Sequence, residues 1–444
     1  MKTNLSTSHR RGIVRSETNP NSPAQIPALP NSGAHGSRTF RRGLVLRLAL
    51  LAAAGLFTHA AFAGKPTPPP PLPPPSSGTV VLDYLYPGGS YAENFGLTVA
   101  PSGTVFASGV AEDGIDYRAL VLSSSDSGST WSLTDNLAPP GRYFWWWDIA
   151  GGIAADLAGN VYSAGLTYSN DGIQPDQWYV RRSADGGATW TLVDDFVPGA
   201  PPNSSGDVTG IVTDAAGNVY VAGMADDVSG NQAWTIRKGV GGTSFSTVDV
   251  VPNSYVSAIS AHPTAGILSV GDTRRVVTIR NKTTTSRAWL VRRSLDGGAT
   301  WSTAESFQLS NGLYSAARGI GADGPGNVYV VGRGITAATG NTYVNHWLVR
   351  KSTNGGASFS TVDDFSASGS YAEALRFAAT ANGDLYVAGV VGGHGILRKS
   401  AGGTGAWTTV DDFPFYPHAM AADASGKLFV GGYGNGSHWI IKKY

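Results

Sequence analysis

The sequence of 444 residues contains no cysteine and few charged residues. Without cysteine, disulfide bonds, a thiolate nucleophile and a cysteine-ligated metal site are all excluded. Asp, Glu, Lys and Arg make up 14% of the chain, whereas aromatic residues reach 10% and glycines number 59. That balance is typical of many short strands joined by tight turns. The composition therefore predicts an all-β protein held together by packing and strand pairing.

The sequence also lacks an apolar run long enough to cross a membrane. The run at residues 48–57 has no charge, but it is only about half of the roughly 20 residues that a spanning helix needs. Basic residues precede it, and an Ala-x-Ala-like cleavage site ends at Ala63. Residues 1–63 are therefore predicted to be a leader and signal peptide, followed by a proline-rich linker over 64–78. We expect a secreted or periplasmic protein without a stable membrane span, and Arg41-Arg42 leaves twin-arginine export open.

Charge of one sign is not in large excess. Residues 1–63 hold eight of the 32 Lys and Arg and one of the 31 Asp and Glu. The rest of the chain therefore has 24 basic against 30 acidic residues, a formal charge of −6. Phosphate binding needs clustered positive charge, so nucleic acid is not an expected partner.

What the chain does have is an internal repeat of about 50 to 60 residues, a period that indicates a solenoid or a propeller. Each copy has a glycine turn before a β-rich strand, followed by a strand of the type Trp-x-Val-Arg-Arg-Ser or a looser version of it, and each copy but the last then has a second glycine-rich turn and a further strand. The first turn occurs seven times, at Gly103, Gly159, Gly217, Gly266, Gly326, Gly383 and Gly426. Four antiparallel strands A to D, of four to eight residues each and repeated radially, predict a seven-bladed β-propeller over 79–444.

The two ends of the chain complement each other. The seventh repeat stops at Tyr444 after its third strand, whereas residues 79–85 resemble an isolated fourth strand. Pairing the two would complete the seventh blade and remove an unpaired sheet edge. The N-terminal strand is therefore predicted to close the ring.

The turn between strands C and D carries a recognisable motif. Ser-x-Asp-x-Gly-x-Thr-Trp occurs in full three times, and a relaxed copy has Asn and Phe in place of Asp and Trp. The positions are Asp126 and Trp131, Asp185 and Trp190, Asp296 and Trp301, and Asn354 and Phe359. This motif resembles the Asp-box, or BNR, repeat. The resemblance covers the mature chain and points to the propeller superfamily that includes sialidases, xyloglucan-cleaving glycosidases and sortilin-type receptor domains.

We interpret the Asp-box residues as structural. The Asp can accept hydrogen bonds within the turn, the Gly permits positive φ, and the Trp can be buried between blades. In such propellers the ligand face is the opposite one, where the D–A and B–C connections meet. An Asp-box therefore reports the fold rather than an activity.

Basic pairs such as Arg181-Arg182 end the C strands, and acidic pairs such as Asp194-Asp195 end the D strands. Antiparallel pairing predicts that they lie at opposite ends of a blade, as solvated or inter-blade ion pairs. A basic ring that binds a polyanion is the weaker alternative.

The expected ligand face holds aromatic residues and carboxylates. The densest aromatic segment contains Tyr143, Trp145, Trp146 and Trp147 and precedes Asp148. Alternation would direct about half of these rings outward as a platform for sugars or for a protein, although they could instead plug the channel. Further candidates on this face are Tyr91, Tyr371, Glu93, Asp207 and Glu373, with Tyr255, Tyr314, Tyr416, Arg318 and Arg376 nearby in equivalent segments.

No metal or cofactor site is predicted. His346, His394 and His438 start strand C in successive blades, but equivalent positions on neighbouring blades are too far apart to share one zinc ion. We expect them at the surface. No Ser-x-Gly nucleophile elbow, phosphate loop or HExxH motif is present.

Three functions remain open at this point. The leading hypothesis is an exported, monomeric, cofactor-free binding protein that contacts a polysaccharide or an envelope protein through residues 143–147. The alternative is a glycoside hydrolase of the Asp-box superfamily that uses two of Glu93, Asp148, Asp207 and Glu373, since glycosidases need paired carboxylates or, in sialidases, a tyrosine nucleophile. The Phe/Tyr-Arg-Ile-Pro signature of sialidases is absent. The third is a structural scaffold of the envelope.

Overall fold

The computed structural model describes residues 78–144, 151–169, 175–199, 205–227, 230–279, 281–337, 343–366, 370–434 and 436–444. The predicted leader and nearly all of the predicted linker lie outside these ranges, as do Trp145, Trp146, Trp147 and Asp148. No helix in the described ranges is long and apolar enough to span a membrane.

The strands of the first four blades follow the predicted A to D order. Blade 1 comprises β2 (Ala92–Val99), β3 (Val105–Glu112), β4 (Tyr117–Ser124) and β5 (Ser132–Leu137). Blade 2 comprises β6 (Arg142–Tyr143), β7 (Ile153–Ala155), β8 (Val161–Ser169), β9 (Gln177–Ser183) and β10 (Thr191–Phe196). Blade 3 comprises β11 (Gly206–Thr213), β12 (Val219–Asp226), β13 (Gln232–Val240) and β14 (Ser244–Pro252). Blade 4 comprises β15 (Ser254–His262), β16 (Gly266–Ile279), β17 (Lys282–Ser294) and β18 (Ser302–Phe307).

The last three blades complete the ring. Blade 5 comprises β19 (Ser315–Ala322), β20 (Val328–Ala337), β21 (Tyr343–Ser352) and β22 (Ser360–Ser366). Blade 6 comprises β23 (Ala372–Ala379), β24 (Leu385–Val391), β25 (His394–Ser400) and β26 (Thr408–Phe413), with a short 3-10 helix at Ala401–Gly403. Blade 7 comprises β27 (Phe415–Ala422), β28 (Leu428–Gly434), β29 (His438–Lys443) and the N-terminal β1 (Thr79–Tyr84).

The ring is closed as predicted. Strand β1 pairs antiparallel with β29, from Thr79 opposite Lys443 to Tyr84 opposite Trp439. Each A strand also contacts the A strands of both neighbouring blades, including β2 of blade 1 against β27 of blade 7. The seven-bladed all-β propeller is therefore confirmed. The predicted strand length of four to eight residues is wrong for eight described strands that are longer: β8, β13, β14 and β15 have nine residues, β20 and β21 have ten, and β16 and β17 have 14 and 13.

The core of each blade is built around strand C. Five blades place a fully buried tryptophan there, at Trp178, Trp234, Trp289, Trp347 and Trp439. Blade 6 has Gly395 at this position, and a Cβ atom there would overlap the ring of Phe413. Phe413 stacks on Phe415 at 4.2 Å between ring centroids and fills the space instead. A buried ring of this size typically contributes about 3 to 5 kcal/mol, as measured by truncation to alanine.

The seams between blades carry repeated ion pairs. Arg237 of blade 3 bonds both carboxylate oxygens of Asp194 in blade 2 at 2.8 Å, and the guanidinium carbon lies 4.1 Å from the centroid of Phe196. Among the described residues, an Arg or Lys on strand C bonds an acidic residue on strand D of the preceding blade at six seams. The pairs are Arg181–Asp135, Arg237–Asp194, Arg292–Asp249, Arg350–Glu305, Arg398–Asp363 and Lys442–Asp411.

These ion pairs correct the prediction that basic and acidic pairs lie at opposite ends of a blade. Asp194 pairs with Val180, directly beside Arg181, because a bulge at Val193 shifts the register of β10 by one residue. A bulge changes the direction in which the side chains after it point. Asp194 therefore points across the seam to the next blade.

The turns on the lower face, where strands C and D connect, have a common hydrogen-bond pattern. Asp185 accepts bonds from the backbone N–H and the hydroxyl of Thr189, and the Ser183 hydroxyl bonds the same carboxylate at 2.8 Å. Asp126 and Asp296 make the same contacts. Asn354 reproduces the pattern with its amide, which donates to the hydroxyl of Ser358 at 2.9 Å.

The aromatic residue of each box packs into an apolar cluster shared with the neighbouring blade. Trp190 lies against a cluster of blade 1 and blade 2 residues that includes Phe106 and Val161. Trp131, Trp301 and Phe359 pack in equivalent clusters. Gly187 in the same turn has a φ of +98°, and a Cβ atom there would lie 3.1 Å from Phe106. Glycine is therefore required both by backbone conformation and by the close approach of the next blade.

Candidate functional site

The upper face, where D–A and B–C connections meet, opens into the central channel. A β-bulge interrupts strand A at the same point in blades 1, 3, 4, 5, 6 and 7. The bulged residues are Phe95, Thr209, Ser257, Arg318, Leu375 and His418. Four of them line a channel cavity of about 180 Å³, together with Arg376. The bulges therefore bring polar side chains from several blades to one mouth.

Glu373 is the centre of the first group of polar residues at this mouth. Its Oε1 accepts a hydrogen bond from Arg318 Nε at 2.7 Å, and Arg333 Nε lies 3.8 Å from the same oxygen. The hydroxyl of Tyr371 donates to Oε2. Glu373 is only 1% exposed. Burial would raise the pKa of Glu373, but the Arg318 and Arg333 guanidiniums outweigh it and hold the pKa below the usual range.

Aromatic rings fix the two arginines. The guanidinium carbon of Arg333 lies 4.5 Å from the ring centroid of Tyr314 and 4.9 Å from that of Tyr371. Arg318 Nη2 also donates to the Tyr314 hydroxyl at 3.1 Å. Burial and the Glu373 carboxylate raise the pKa of Tyr371. The Tyr371 ring, about one third exposed, is the part of this group that solvent reaches most readily.

Glu93 is the centre of a second group in which a tyrosine hydroxyl and a basic side chain again contact the carboxylate. The hydroxyl of Tyr91 donates to Glu93 Oε2, and His418 Nε2 lies 3.0 Å from Oε1. Tyr91 packs on Tyr433 with 5.2 Å between ring centroids. Burial and the Glu93 carboxylate raise the pKa of Tyr91. Tyr91-x-Glu93 of blade 1 and Tyr371-x-Glu373 of blade 6 are thus equivalent pairs with equivalent hydrogen bonds.

Blade 7 lies between these two blades and connects the groups. Its Tyr416 packs on the ring of His418 at 4.8 Å between centroids. Arg376 Nε donates to the His418 carbonyl at 2.5 Å. Burial and the charge of Glu373 raise the pKa of Tyr416. We refer to Tyr91, Glu93, Arg318, Arg333, Tyr371, Glu373, Tyr416 and His418 as the mouth cluster.

Arg376 differs from the other arginines of the mouth in having no acidic partner. Among the described residues no carboxylate lies within ion-pair distance of it, and it donates hydrogen bonds to the carbonyls of His418 and Leu375. Burial lowers the pKa of Arg376 to about 10, and the nearby charge of Arg318 also lowers it. The mouth therefore carries an excess of positive charge at its inner end.

The sequence-derived candidates are found in different places. Tyr91, Glu93, Tyr371 and Glu373 come together in the mouth cluster. Tyr143 is half-buried and stacks on Tyr168 at 5.5 Å. Asp207, half-buried on β11, occupies the position in blade 3 that Glu93 and Glu373 occupy in theirs. The remaining candidates, Trp145, Trp146, Trp147 and Asp148, lie outside the described residues.

Sequence reasoning missed Arg333 and His418. Arg333 lies on strand B, where the repeat gave no reason to expect a charged residue, and His418 occupies a bulge that sequence patterns do not reveal. The repeated Tyr-x-Glu at the start of strand A was the available signal. The three histidines that start strand C each contact the second aspartate position of their own D strand, as His346 does with Asp364 at 2.7 Å and His394 with Asp412 at 3.0 Å.

No family model matches the chain. A xyloglucanase from a Paenibacillus species is 28% identical over 206 residues, which is 41% of this chain and 18% of the relative. The chain thus spans about a fifth of that relative's length.

Solved structures resemble the fold more extensively. The polysaccharide lyase Uly1 matches 78% of this chain and 89% of its own, with a TM-score of 0.50 and 12% identity. The alpha-L-arabinanase of Penicillium chrysogenum matches 84% of this chain and 98% of its own, with a TM-score of 0.49 and 15% identity. The similarity to the xyloglucanase fits the Asp-box propeller superfamily that the sequence motif indicates. At these identities, the structural matches show the fold alone.

Proposed function

We propose that this protein is an exported glycoside hydrolase that cleaves a polysaccharide at the mouth cluster. The observation that carries the proposal is the pair of equivalent Tyr-x-Glu units, Tyr91-Glu93 and Tyr371-Glu373, each bonded to a cationic or titratable partner at one channel mouth. Glycosidases need two such groups on either side of the scissile bond. The similarity of part of the chain to a xyloglucanase supports the same class of reaction.

The Tyr371–Glu373 unit suits the nucleophilic role. The Tyr371 hydroxyl already donates its hydrogen bond to Glu373, whose carboxylate is kept ionised by Arg318 and Arg333. As the phenol oxygen forms a bond to the anomeric carbon, its proton passes to the carboxylate. Activation of a weak nucleophile by an adjacent base is the general requirement of covalent catalysis. Arg333, against the Tyr371 ring, stabilises the negative charge that develops on the phenol oxygen.

The Glu93–His418 unit suits the acid and base role. A proton between His418 Nε2 and Glu93 Oε1, 3.0 Å apart, can pass to the leaving glycosidic oxygen and later be recovered from the attacking water. Blade 7 places this unit beside the first one through the Arg376–His418 hydrogen bond. Glu93, Glu373 and His418 lie on β2, β23 and β27, and Tyr371 directly precedes β23, which favours a fixed geometry for catalysis.

A second candidate function is binding of a polysaccharide or an envelope protein without cleavage. One observation favours it: both oxygens of Glu373 are already engaged and the residue is 1% exposed. In that case the Tyr371 ring and residues 143–147 provide the contact surface. Aromatic rings at a rim supply large contact areas at low entropic cost.

Release of reducing ends from a panel of polysaccharides, including xyloglucan and arabinan, tests the proposal. We expect the wild-type protein to release sugar from at least one polymer and Tyr371→Phe to lower kcat at least about 100-fold with little change in KM. The control is Tyr386→Phe, which removes a hydroxyl at the lower end of β24 and should leave the rate unchanged.

Two outcomes contradict parts of the proposal. One is an unchanged kcat in Tyr371→Phe, which would remove Tyr371 as the nucleophile but keep the hydrolase. The other is a wild-type protein that binds polymers in calorimetry but releases no sugar from any of them, which would support the binding function instead.

A further inference from the structure

Arg376 interrupts a ring of small residues in the central channel. One position at the inner edge of each blade, opposite the fourth residue of strand B, lines the channel cavity. Among the described residues, blade 6 alone has a long side chain there, that of Arg376. The other six blades have glycine or alanine, at Gly96, Gly152, Gly210, Ala258, Gly319 and Ala419.

Neighbouring blades approach each other closely at this ring. A Cβ atom at Gly319 would lie 2.5 Å from the carbonyl oxygen of Leu375 in the next blade. Arg376 crosses the corresponding seam from blade 6 to blade 7, where its Nε bonds the His418 carbonyl. Six blades pack here without any side-chain atom beyond Cβ, so the packing of the ring does not require a long side chain. The guanidinium therefore calls for a separate explanation.

The charge of Arg376 is not neutralised by the described residues. Its Nε and Nη1 donate to the carbonyls of His418 and Leu375, and within the described part of the chain its Nη2 has no acceptor. Glu373 is close enough to act on this charge, but its oxygens already accept bonds from Arg318 and Tyr371. The pKa of Arg376 falls only to about 10, so the charge persists at neutral pH. A half-buried charge without a partner is costly, and a bound counterion would offset that cost.

The cavity beside Arg376 suits a small anion better than a sugar. Its volume is about 180 Å³, and one water molecule needs about 10 to 15 Å³, so an ion and several waters fit. The next residue of each blade is apolar, from Leu97 in blade 1 to Met420 in blade 7. Among the described residues that line the cavity, side-chain hydroxyls are found at Thr209 and Ser257, and that of Thr209 already donates to a backbone carbonyl. A sugar would leave several hydroxyls unpaired there, whereas a small anion needs few donors.

We propose that Arg376 binds one small inorganic anion, such as chloride, in the central channel. The Ser257 hydroxyl lines the same cavity and can donate a hydrogen bond to the ion, directly or through a water molecule. The ion neutralises the guanidinium and thereby stabilises the contact of Arg376 with the His418 carbonyl of blade 7. The inference goes beyond the proposed function, because it concerns the stability of the ring and holds with or without release of sugar.

Thermal unfolding of the mature chain, residues 64–444, at constant ionic strength tests the inference. Sodium chloride replaces the sodium salt of a bulky sulfonate buffer stepwise, because the bulky anion cannot enter the cavity. We expect the unfolding midpoint of the wild type to rise and reach a plateau. At ten times the Kd, the folding constant should be about elevenfold higher than without the ion. Arg376→Met should abolish the rise, whereas Arg376→Lys keeps the charge and should retain part of it.

Arg293→Met is the matched control. Arg293 is also half-buried and its Nε also donates to a carbonyl, that of Ala265, but it lies at the end of β17 beside the lower face. This variant should keep the full chloride-dependent rise. General effects of the two salts on stability act on all the variants alike, so the difference between Arg376→Met and Arg293→Met measures the channel site.

A crystal grown in sodium bromide locates the ion, because bromide replaces chloride and scatters anomalously. We expect an anomalous peak within hydrogen-bond distance of the Arg376 guanidinium, and this measurement decides the question even if Arg376→Met does not fold. Absence of the peak overturns the inference, as does an equal chloride response of Arg376→Met and wild type. A larger rise with glucuronate than with chloride also overturns it and assigns Arg376 to a sugar carboxylate instead. Sugar release is measured separately, so the hydrolase can stand or fall independently of this site.

Discussion

Leu82 of the N-terminal strand and Leu122 of blade 1 pack in one apolar cluster at the seam that closes the ring. They occupy the positions that hold an acidic residue and a cation at the six other seams, since Leu82 corresponds to Asp194 and Leu122 to Arg181. At this seam, leucine therefore replaces both the acidic residue and the cation of the other seams. The joint between the two ends of the chain is therefore made by apolar packing, which needs no matched charges.

Leu122→Arg tests this joint. Leu122 is 2% exposed, and a guanidinium there has no carboxylate opposite it. An unpaired buried charge typically costs several kcal/mol, so we expect a loss of about 3 kcal/mol in the free energy of unfolding, measured with guanidinium chloride. Adding Leu82→Asp should recover at least about 1 kcal/mol.

The reciprocal change gives the control. Replacing both Asp135 and Arg181 by Leu should alter stability little, because a buried ion pair and an apolar pair of similar size are often equivalent. Burial raises the pKa of Asp135 despite the Arg181 charge, so desolvation opposes the attraction within this pair. Leu122→Arg with wild-type stability would contradict the requirement for an apolar seam.

Removal of the N-terminal strand should open the ring. Deleting residues 1–84 exposes the edge of β29, which β1 covers along its length. An unpaired edge is a template for association with another chain, so we expect a lower unfolding midpoint and concentration-dependent oligomers in light scattering. Deleting only residues 1–77 is the matched control and should leave a stable monomer. A monomeric, equally stable 1–84 deletion would contradict closure by β1.

The Asp-box turns should lose stability in acid. Bonds from the Thr130 hydroxyl and backbone lower the pKa of Asp126 from 3.8 to about 2, and the Asp185 and Asp296 pKa values fall likewise. A folded pKa below the unfolded one gives stability that is complete above pH 4 and is lost as the pH falls toward 2. Asn354 makes the same turn without an ionisable group.

Melting temperatures at pH 5, 4, 3 and 2 would measure this effect. The variant with Asp126, Asp185 and Asp296 all replaced by Asn should lose less stability between pH 4 and pH 2 than the wild type. Other carboxylates titrate equally in both proteins, so the difference belongs to the boxes. Parallel pH profiles would show that these carboxylates do not contribute.

The ring could be predicted from the sequence because a propeller repeats its signals. The glycine turns from Gly103 to Gly426 fixed the blade count, and the unpaired third strand at Tyr444 required a partner that residues 79–85 supplied. Each inference depends only on local turn and strand patterns. Such patterns are present in every blade, even where one copy is irregular.

The site was less predictable because it depends on departures from the repeat. A bulge changes which way His418 and Arg318 point without leaving a mark in the hydrophobic pattern. In blade 4, β16 and β17 form a continuous ladder of 13 positions, which the repeat, with its strands of four to eight residues, did not indicate. Inter-blade ion pairs were predicted, but the basic and acidic residues were wrongly placed at opposite ends of a blade for the same reason, since a bulge at Val193 shifts Asp194 relative to Arg181.

Glu373 should stabilise the fold as well as serve the site. It is 1% exposed and neutralises Arg318 and Arg333, while Arg376 lies close enough to be affected by its charge. Glu373→Gln removes the carboxylate that contacts Arg318 and Arg333 and leaves three guanidiniums around a neutral amide, with Asp272 still acting on Arg318. Breaking a buried ion pair from one side typically costs about 3 to 5 kcal/mol, and we expect a loss of that size in the free energy of unfolding. Adding Arg376→Met should restore part of the lost free energy of unfolding, because one of the three positive charges disappears.

Glu93→Gln is the matched control with a smaller expected loss, since the ion-pair partner of Glu93 is the single imidazole of His418. Equal unfolding midpoints for Glu373→Gln and wild type would show that solvent, rather than Glu373, compensates the arginines of the mouth.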